Sequence, residues 1–429
     1  MNLQAKRRTL LKGIAATTVG LAATTSGNAA EEETYLVTTG SDKVAQKLER
    51  KGYIVQNEIP AANLLIVRGP SSETQSIQDI SGVREAAPDL AYEIGSSPVD
   101  SMAPSVDAQY TDLQWDKQLT DAFAAHDFAT GAGTRVAVVD TGVDHTHPDL
   151  SANVNTDLGR SVIDGEFGPD ASPVHPHGTH VAGIAAATGA QGVVGMAPDA
   201  ELVPLRVFPK EGPVIERISD CLLAIDYAAQ IGADVVNMSL GWEPRPPREN
   251  QTAQGVRRVI CDRVIKSVRR RGTTVVVSGG NEETDLQHGG YRDMWTSLES
   301  TLGVSATAPN DELAFYSNYG LGDIDVGAPG GGYETIEKTL SNDTEWPNPT
   351  NRILSTVPND SYAYYIGTSM ASPQVAGLVS LVRELSPTLK PNRIEGVIKR
   401  NAEGSNGRSD PELGAGRINA LQTVESLLK

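Results

Sequence analysis

The apolar positions of this chain fall into short unbroken runs. Arg135-Val-Ala-Val-Val-Asp140, Ala233-Asp-Val-Val-Asn-Met-Ser239-Leu-Gly241 and Val275-Val-Val-Ser-Gly-Gly-Asn281 are each apolar on both faces and end in polar or glycine-rich residues. Such runs describe strands of a parallel sheet covered by helices on both sides. The small-residue stretches around Val181-Ala-Gly183 and from Val375 to Val382 read as buried helices. Together they predict an α/β fold, a mostly parallel sheet with helices on both faces. Residues 34–94 are patterned differently. Tyr35-Leu-Val-Thr alternates like a strand, Asp42 to Lys51 reads as an amphipathic helix, and Asn63-Leu-Leu-Ile-Val-Arg68 and Gly82 to Ile94 complete a β-α-β-β-α-β order. This is a small ferredoxin-like α+β unit. Ser96 to Tyr110 is rich in Ser, Pro and Asp, lacks periodicity, and reads as an exposed linker.

Charge narrows the partners. With 54 acidic against 36 basic residues the chain carries a formal −18 over 429 residues, which disfavours nucleic acid. Residues 6–12 read Lys-Arg-Arg-Thr-Leu-Leu-Lys, followed by an Ala/Thr/Gly-rich stretch to Ala30 and then three glutamates. A basic start, a short weakly apolar core and small residues describe an export signal rather than a membrane anchor. Arg7-Arg8 ahead of Leu10-Leu11-Lys12 resembles the twin-arginine signal, so a secreted, extracellular protein is expected. The two cysteines, Cys221 and Cys261, each fall on a predicted helix, and a disulfide or two buried free thiols are both open.

Three motifs carry chemistry. Gly367-Thr-Ser-Met-Ala-Ser-Pro373 puts Ser369 in the first turn of a buried helix, where free N–H groups and the helix dipole favour developing negative charge. Asp140 closes an apolar strand, and His175-Pro-His177-Gly-Thr-His180 leads into a small-residue helix. Acid, histidine and serine in this order match one of the chain orders of a hydrolytic triad. A zinc site from the three histidines is disfavoured, because the usual helical spacing is i, i+4 with an acid between.

These motifs resemble the subtilisin-like serine proteases (subtilases, peptidase family S8) over roughly residues 107 to 429. An acidic chain with arginine twice as common as lysine points to a haloarchaeal, halolysin-like member. The resemblance implies Ser369 as nucleophile, His177 as base, Asp140 as its orienting acid and Asn281 as an oxyanion donor. It places Ser239, Leu240, Gly241, Ser278, Gly279 and Gly280 along the substrate cleft. It further implies a signal peptide over 1–30, an inhibitory propeptide over 31–95, a linker with the maturation bond over 96–110 and a catalytic domain over 111–429. Expected partners are protein or peptide substrates and the chain's own propeptide, with no membrane anchor and a monomeric enzyme. A structural calcium with Asp149 as ligand is expected, and no catalytic metal. A dedicated processing protease and an inactive peptide-binding pseudoprotease are the rival readings.

The chain departs from the family pattern in four places. Gln374 stands where a histidine is usual, and Ala187-Thr-Gly-Ala-Gln191 is short and lacks the asparagine oxygens a hard cation wants. Trp242-Glu-Pro-Arg-Pro-Pro-Arg248 and Gly330 to Arg352 are unusual loops that could border the cleft.

Overall fold

The computed structural model describes residues 32–93, 101–102, 110–246, 253–404 and 409–428. The expected signal peptide over 1–30 and most of the expected linker lie outside them. Strands β1 (Glu32–Thr39), β2 (Ile54–Ile59), β3 (Leu64–Pro70) and β4 (Val83–Pro88) form an antiparallel sheet in the order β2-β3-β1-β4. Helices Val44–Arg50 and Thr74–Gln78 complete the β-α-β-β-α-β order read from the sequence. Alternation along β1 serves two cores. Tyr35 and Val37 pack with Val44, Leu48 and Ile77 inside the unit, while Leu36 joins Leu64 and Ile66 in a core shared with the rest of the chain.

Two short strands follow, β5 (Ala91–Glu93) and β6 (Ser101–Met102). The main sheet contains β7 (Arg135–Asp140), β8 (Arg160–Ile163), β9 (Glu166–Gly168), β10 (Glu201–Arg206), β12 (Val235–Met238), β13 (Thr274–Ser278), β14 (Leu302–Thr307) and β15 (Val326–Pro329). Its order is β15-β14-β13-β12-β7-β10-β8-β9, parallel throughout except for β9. Both faces are covered, which is why β7 and β13 carry runs of consecutive apolar residues between their polar ends. Val136 and Val138 face one core, with helices His177–Ala186 and Thr368–Leu385; Ala137 and Val139 face the other, with helices Ile218–Gln230 and Ala253–Arg270. Each buried valine contributes about 1.5–3 kcal/mol over an exposed one.

Outside the main sheet, β11 (Ile215–Arg217) pairs antiparallel with β5, and the hairpin β16 (Ile353–Val357) and β17 (Ser361–Tyr365) pairs antiparallel with β6 through β17. The stretch read as a featureless linker therefore contains a strand at Ser101–Met102. Its backbone hydrogen bonds are supplied by a partner more than 250 residues away, which local composition does not show. Cys221 and Cys261 are both buried and free.

Candidate active site

Strands β7, β12 and β13 are neighbours, and their carboxyl ends deliver Asp140, Ser239 and Asn281 to one edge of the sheet. The Asp140 side chain is fully buried, with its two oxygens 2.8 and 3.0 Å from His177 Nδ1. The Thr141 N–H donates to Asp140 Oδ1 at 2.7 Å. His177 opens helix His177–Ala186, and its ring is 14% exposed, so one edge faces the cleft. Gly178 permits this approach: a β-carbon there would lie 2.3 Å from the Gly142 carbonyl oxygen and 3.0 Å from Asp140 Oδ1.

The other two histidines are spent elsewhere. His175 Nδ1 accepts the His177 N–H at 3.2 Å. His180 is fully buried, stacked on Tyr365 with ring centroids 4.3 Å apart and donating from Nε2 to the Ala363 carbonyl. Burial lowers its pKa to about 3, so it is a neutral packing residue beneath the site.

Ser369 lies in the first turn of helix Thr368–Leu385, and its hydroxyl donates to the Ser239 carbonyl at 3.2 Å. Pro373, four residues on, has no N–H for the Ser369 carbonyl, and the Ser239 hydroxyl donates to it instead at 2.8 Å. Asn281 is held by Thr368, whose N–H and hydroxyl both donate to Asn281 Oδ1 at 2.9 Å. That turns the Asn281 NH₂ toward the serine. A β-carbon built on Gly367 would lie 3.6 Å from Ser369 N and 3.7 Å from Asn281 Nδ2, so both donors border one small volume. The Thr368 contribution was not legible in the motif.

Of the remaining cleft residues, Gly241 is exposed and approaches Gly280, whereas Leu240 is buried. The Gly279 N–H is used on Val304 and the Ser278 hydroxyl donates to the Leu240 carbonyl, so this segment is a wall rather than an open edge. The edge that does pair with a passing strand is β11, which the sequence reading missed. Tyr92 of β5 stacks on Trp242 at 5.0 Å, and Trp242 Nε1–H donates to Glu216 of β11 at 2.7 Å. Burial pushes the Glu216 carboxyl up to about 8. Asp89 accepts from the Ser219 N–H and hydroxyl, capping helix Ile218–Gln230 from the N-terminal unit.

Gln374 now has a physical account. It is buried against Lys117 and Asp116, accepting from Lys117 Nζ at 2.9 Å and donating to Asp116 Oδ2 at 2.6 Å, while those two form an ion pair at 2.6 Å. Its two-sided amide bridges both charges at once.

Asp149 does not fit a cation. Its carboxylate is fully buried and accepts the N–H groups of Gln191, Gly192 and Val193 at 2.6 to 3.2 Å, with the Tyr362 hydroxyl at 2.8 Å. The short 187–193 loop turns N–H donors inward where a calcium site needs oxygens, which corrects the expected metal role of Asp149. Asp149→Asn is expected to lower stability by about 3 kcal/mol, because an NH₂ would face those donors. Thermal unfolding checks this, with one further condition. EDTA should shift the melting temperatures of wild type and variant equally; a shift lost in the variant would restore the metal reading.

A parallel sheet with an acid–histidine pair at its carboxyl edge, and a serine opening a helix beside an amide donor, has the layout of a serine hydrolase. The sequence profile described as the Subtilase family matches residues 131–416. A thermophilic serine proteinase of Bacillus sp. (strain AK1) is 31% identical over 367 residues, covering 84% of this chain and 78% of that one. Subtilisin Savinase of Lederbergia lenta is 33% identical over 310 residues, covering 72% and 97%. Among solved structures, the epidermin leader peptide processing serine protease from Staphylococcus aureus matches in fold, with TM-score 0.76 at 22% identity, covering 93% of this chain and 99% of that one. The chain belongs to the subtilase family and is a serine endopeptidase of the subtilisin type. Among the described residues, no helix is long and apolar enough to cross a membrane.

Proposed function

We propose that this chain is a secreted endopeptidase, made as a zymogen, that cuts protein substrates through an acyl-enzyme on Ser369. In this reading the Ser369 hydroxyl swings from the Ser239 carbonyl to His177 Nε2 and gives up its proton as Oγ attacks the scissile carbonyl. Asp140 holds the Nδ1–H tautomer and stabilises the imidazolium. The Ser369 N–H and Asn281 Nδ2 receive the oxyanion, and His177 returns the proton to the leaving amine. The observation that carries the reading is the Asp140–His177 contact at the sheet edge where Asn281 is turned toward Ser369.

Residues 31–95 act here as the inhibitory propeptide. Three contacts support this: β5 lies on β11 as a substrate strand would, Tyr92 covers Trp242, and Asp89 caps a helix of the catalytic part. The maturation bond falls within the linker over residues 96–110 in this reading. Export by the twin-arginine route and adaptation to high salt complete the proposal, on the N-terminal motif and the −18 charge. A fluorophosphonate probe tests the chemistry. An adduct mapped by peptide mass to Ser369 is the expected result, and a folded, matured protein that takes no label would sink the triad assignment.

A further inference from the structure

Asn281 is anchored from a second side. Asn318, fully buried, lies 37 residues downstream in the loop between β14 and β15. Its Oδ1 accepts the N–H groups of Glu282 (3.1 Å) and Thr284 (2.8 Å), its Nδ2 donates to Glu282 Oε2 (2.7 Å), and its own N–H donates to the Gly280 carbonyl (3.0 Å). One side chain with its peptide thus grips the residues on both sides of Asn281. The opposite side is held by Thr368, whose hydroxyl accepts the Gly280 N–H at 3.0 Å and donates to Asn281 Oδ1. The fit leaves no slack. Gly280 has φ +93°, and a β-carbon there would lie 2.3 Å from Asn318 Nδ2 and 2.8 Å from Glu282 Oε2.

Resting on the oxyanion reading above, we propose that Asn318 is a positioning residue that sets the Asn281 amide for the transition state and ties Glu282 to the same frame. A loop with a conformationally free glycine at φ +93° and an exposed Asn281 has many arrangements available, and the oxyanion geometry is one of them. The buried Asn318 amide, which takes the Glu282 and Thr284 N–H groups, and the Thr368 hydroxyl, which takes that of Gly280, select that one. The interaction acts on the transition state, so its loss falls on kcat and leaves substrate binding alone.

The test is a double-mutant cycle on the full chain, with each variant checked for folding by circular dichroism. Asn318→Ala is expected to lower kcat on the order of 10²-fold with KM within about twofold, the scale of a misplaced catalytic group. Asn281→Ala lowers kcat by about 10²–10³-fold as an oxyanion donor should. The double variant should be no slower than Asn281→Ala alone, because Asn318 acts through Asn281. Asn318→Asp supplies the conservative control. It keeps the Oδ1 acceptor for the Glu282 and Thr284 N–H groups and loses the Nδ2 donor to Glu282. Its kcat is therefore expected to fall by less than that of Asn318→Ala, with KM again within about twofold. Should Asn318→Ala not fold, Asn318→Asp alone and combined with Asn281→Ala decides by the same kcat and KM readings. Multiplicative effects in the double variant, or an Asn318→Asp with wild-type kcat, would overturn the proposal. A wild-type kcat in Asn281→Ala would overturn the oxyanion reading itself, and this inference with it.

Discussion

Ser369→Ala is expected to yield a folded chain that keeps its N-terminal unit and lacks measurable peptidase activity. In subtilisin-type triads removal of the serine costs about 10⁶-fold in kcat, a magnitude carried over from the family. The substitution is mild for the fold. The Ser369 hydroxyl makes one bond, to the Ser239 carbonyl, while the Ser369 carbonyl bond to the Ser239 hydroxyl survives in alanine. Retention of the N-terminal unit is therefore attributable to chemistry and not to unfolding. Intact mass after expression reads the outcome directly. Wild type should lose a segment ending between residues 96 and 110 while the variant stays whole. If both are cut at the same bond, another protease performs maturation and the self-maturing zymogen is wrong. If neither is cut although both are folded, a peptide-binding role moves ahead.

Asp140→Asn should be the second largest loss, about 10⁴-fold in kcat with KM little changed. The local hydrogen bonds supply the reason. Thr141 N–H donates to Oδ1 at 2.7 Å and would keep the asparagine carbonyl at that position, placing the NH₂ where Oδ2 now lies, 3.0 Å from His177 Nδ1. A donor there disfavours the Nδ1–H tautomer that leaves Nε2 free to accept from Ser369, and the neutral amide no longer stabilises the imidazolium that forms. Stability should not fall, because a buried neutral amide replaces a buried charge. Steady-state kinetics on trans-matured protein with a thermal melt would check both halves. A variant retaining more than a tenth of wild-type kcat would remove Asp140 from the mechanism.

Much of this site was legible along the chain, and the reasons differ by residue. β7, β12 and β13 were visible because central parallel strands are buried on both faces and so read as unbroken apolar runs. His177 and Ser369 were visible because each opens a helix of small residues, Ala, Gly, Ser and Thr, that lets the helix lie close to the sheet. β11 was invisible: Ile215-Glu-Arg217 has no alternation worth noticing, and its partner is a strand more than 100 residues earlier. The same holds for the Asp116–Lys117–Gln374 cluster, whose members are adjacent at one end and over 250 residues apart at the other. Asp149 was misread for a related reason. A carboxylate beside a short glycine-containing loop is compatible with a cation or with inward-turned N–H groups, and only the backbone directions of Gln191, Gly192 and Val193 distinguish them.

What the sequence by itself determined is the set of local properties: which runs bury both faces, which residues can attack, accept a proton or carry charge, and in what order they occur. These follow from side-chain chemistry and from the short period of strands and helices. Only the tertiary structure decided which donors each of these groups meets. Asn281 became an oriented amide through Thr368, with Asn318 bonded to the residues on either side of it, Asp149 became a carboxylate saturated by a loop and a tyrosine, and Glu216 became a buried acid beneath Trp242 and the strand carrying Tyr92. Hydrogen bonds are directional over about 3 Å, and the partners arrive from segments that only the packed sheet brings within that range.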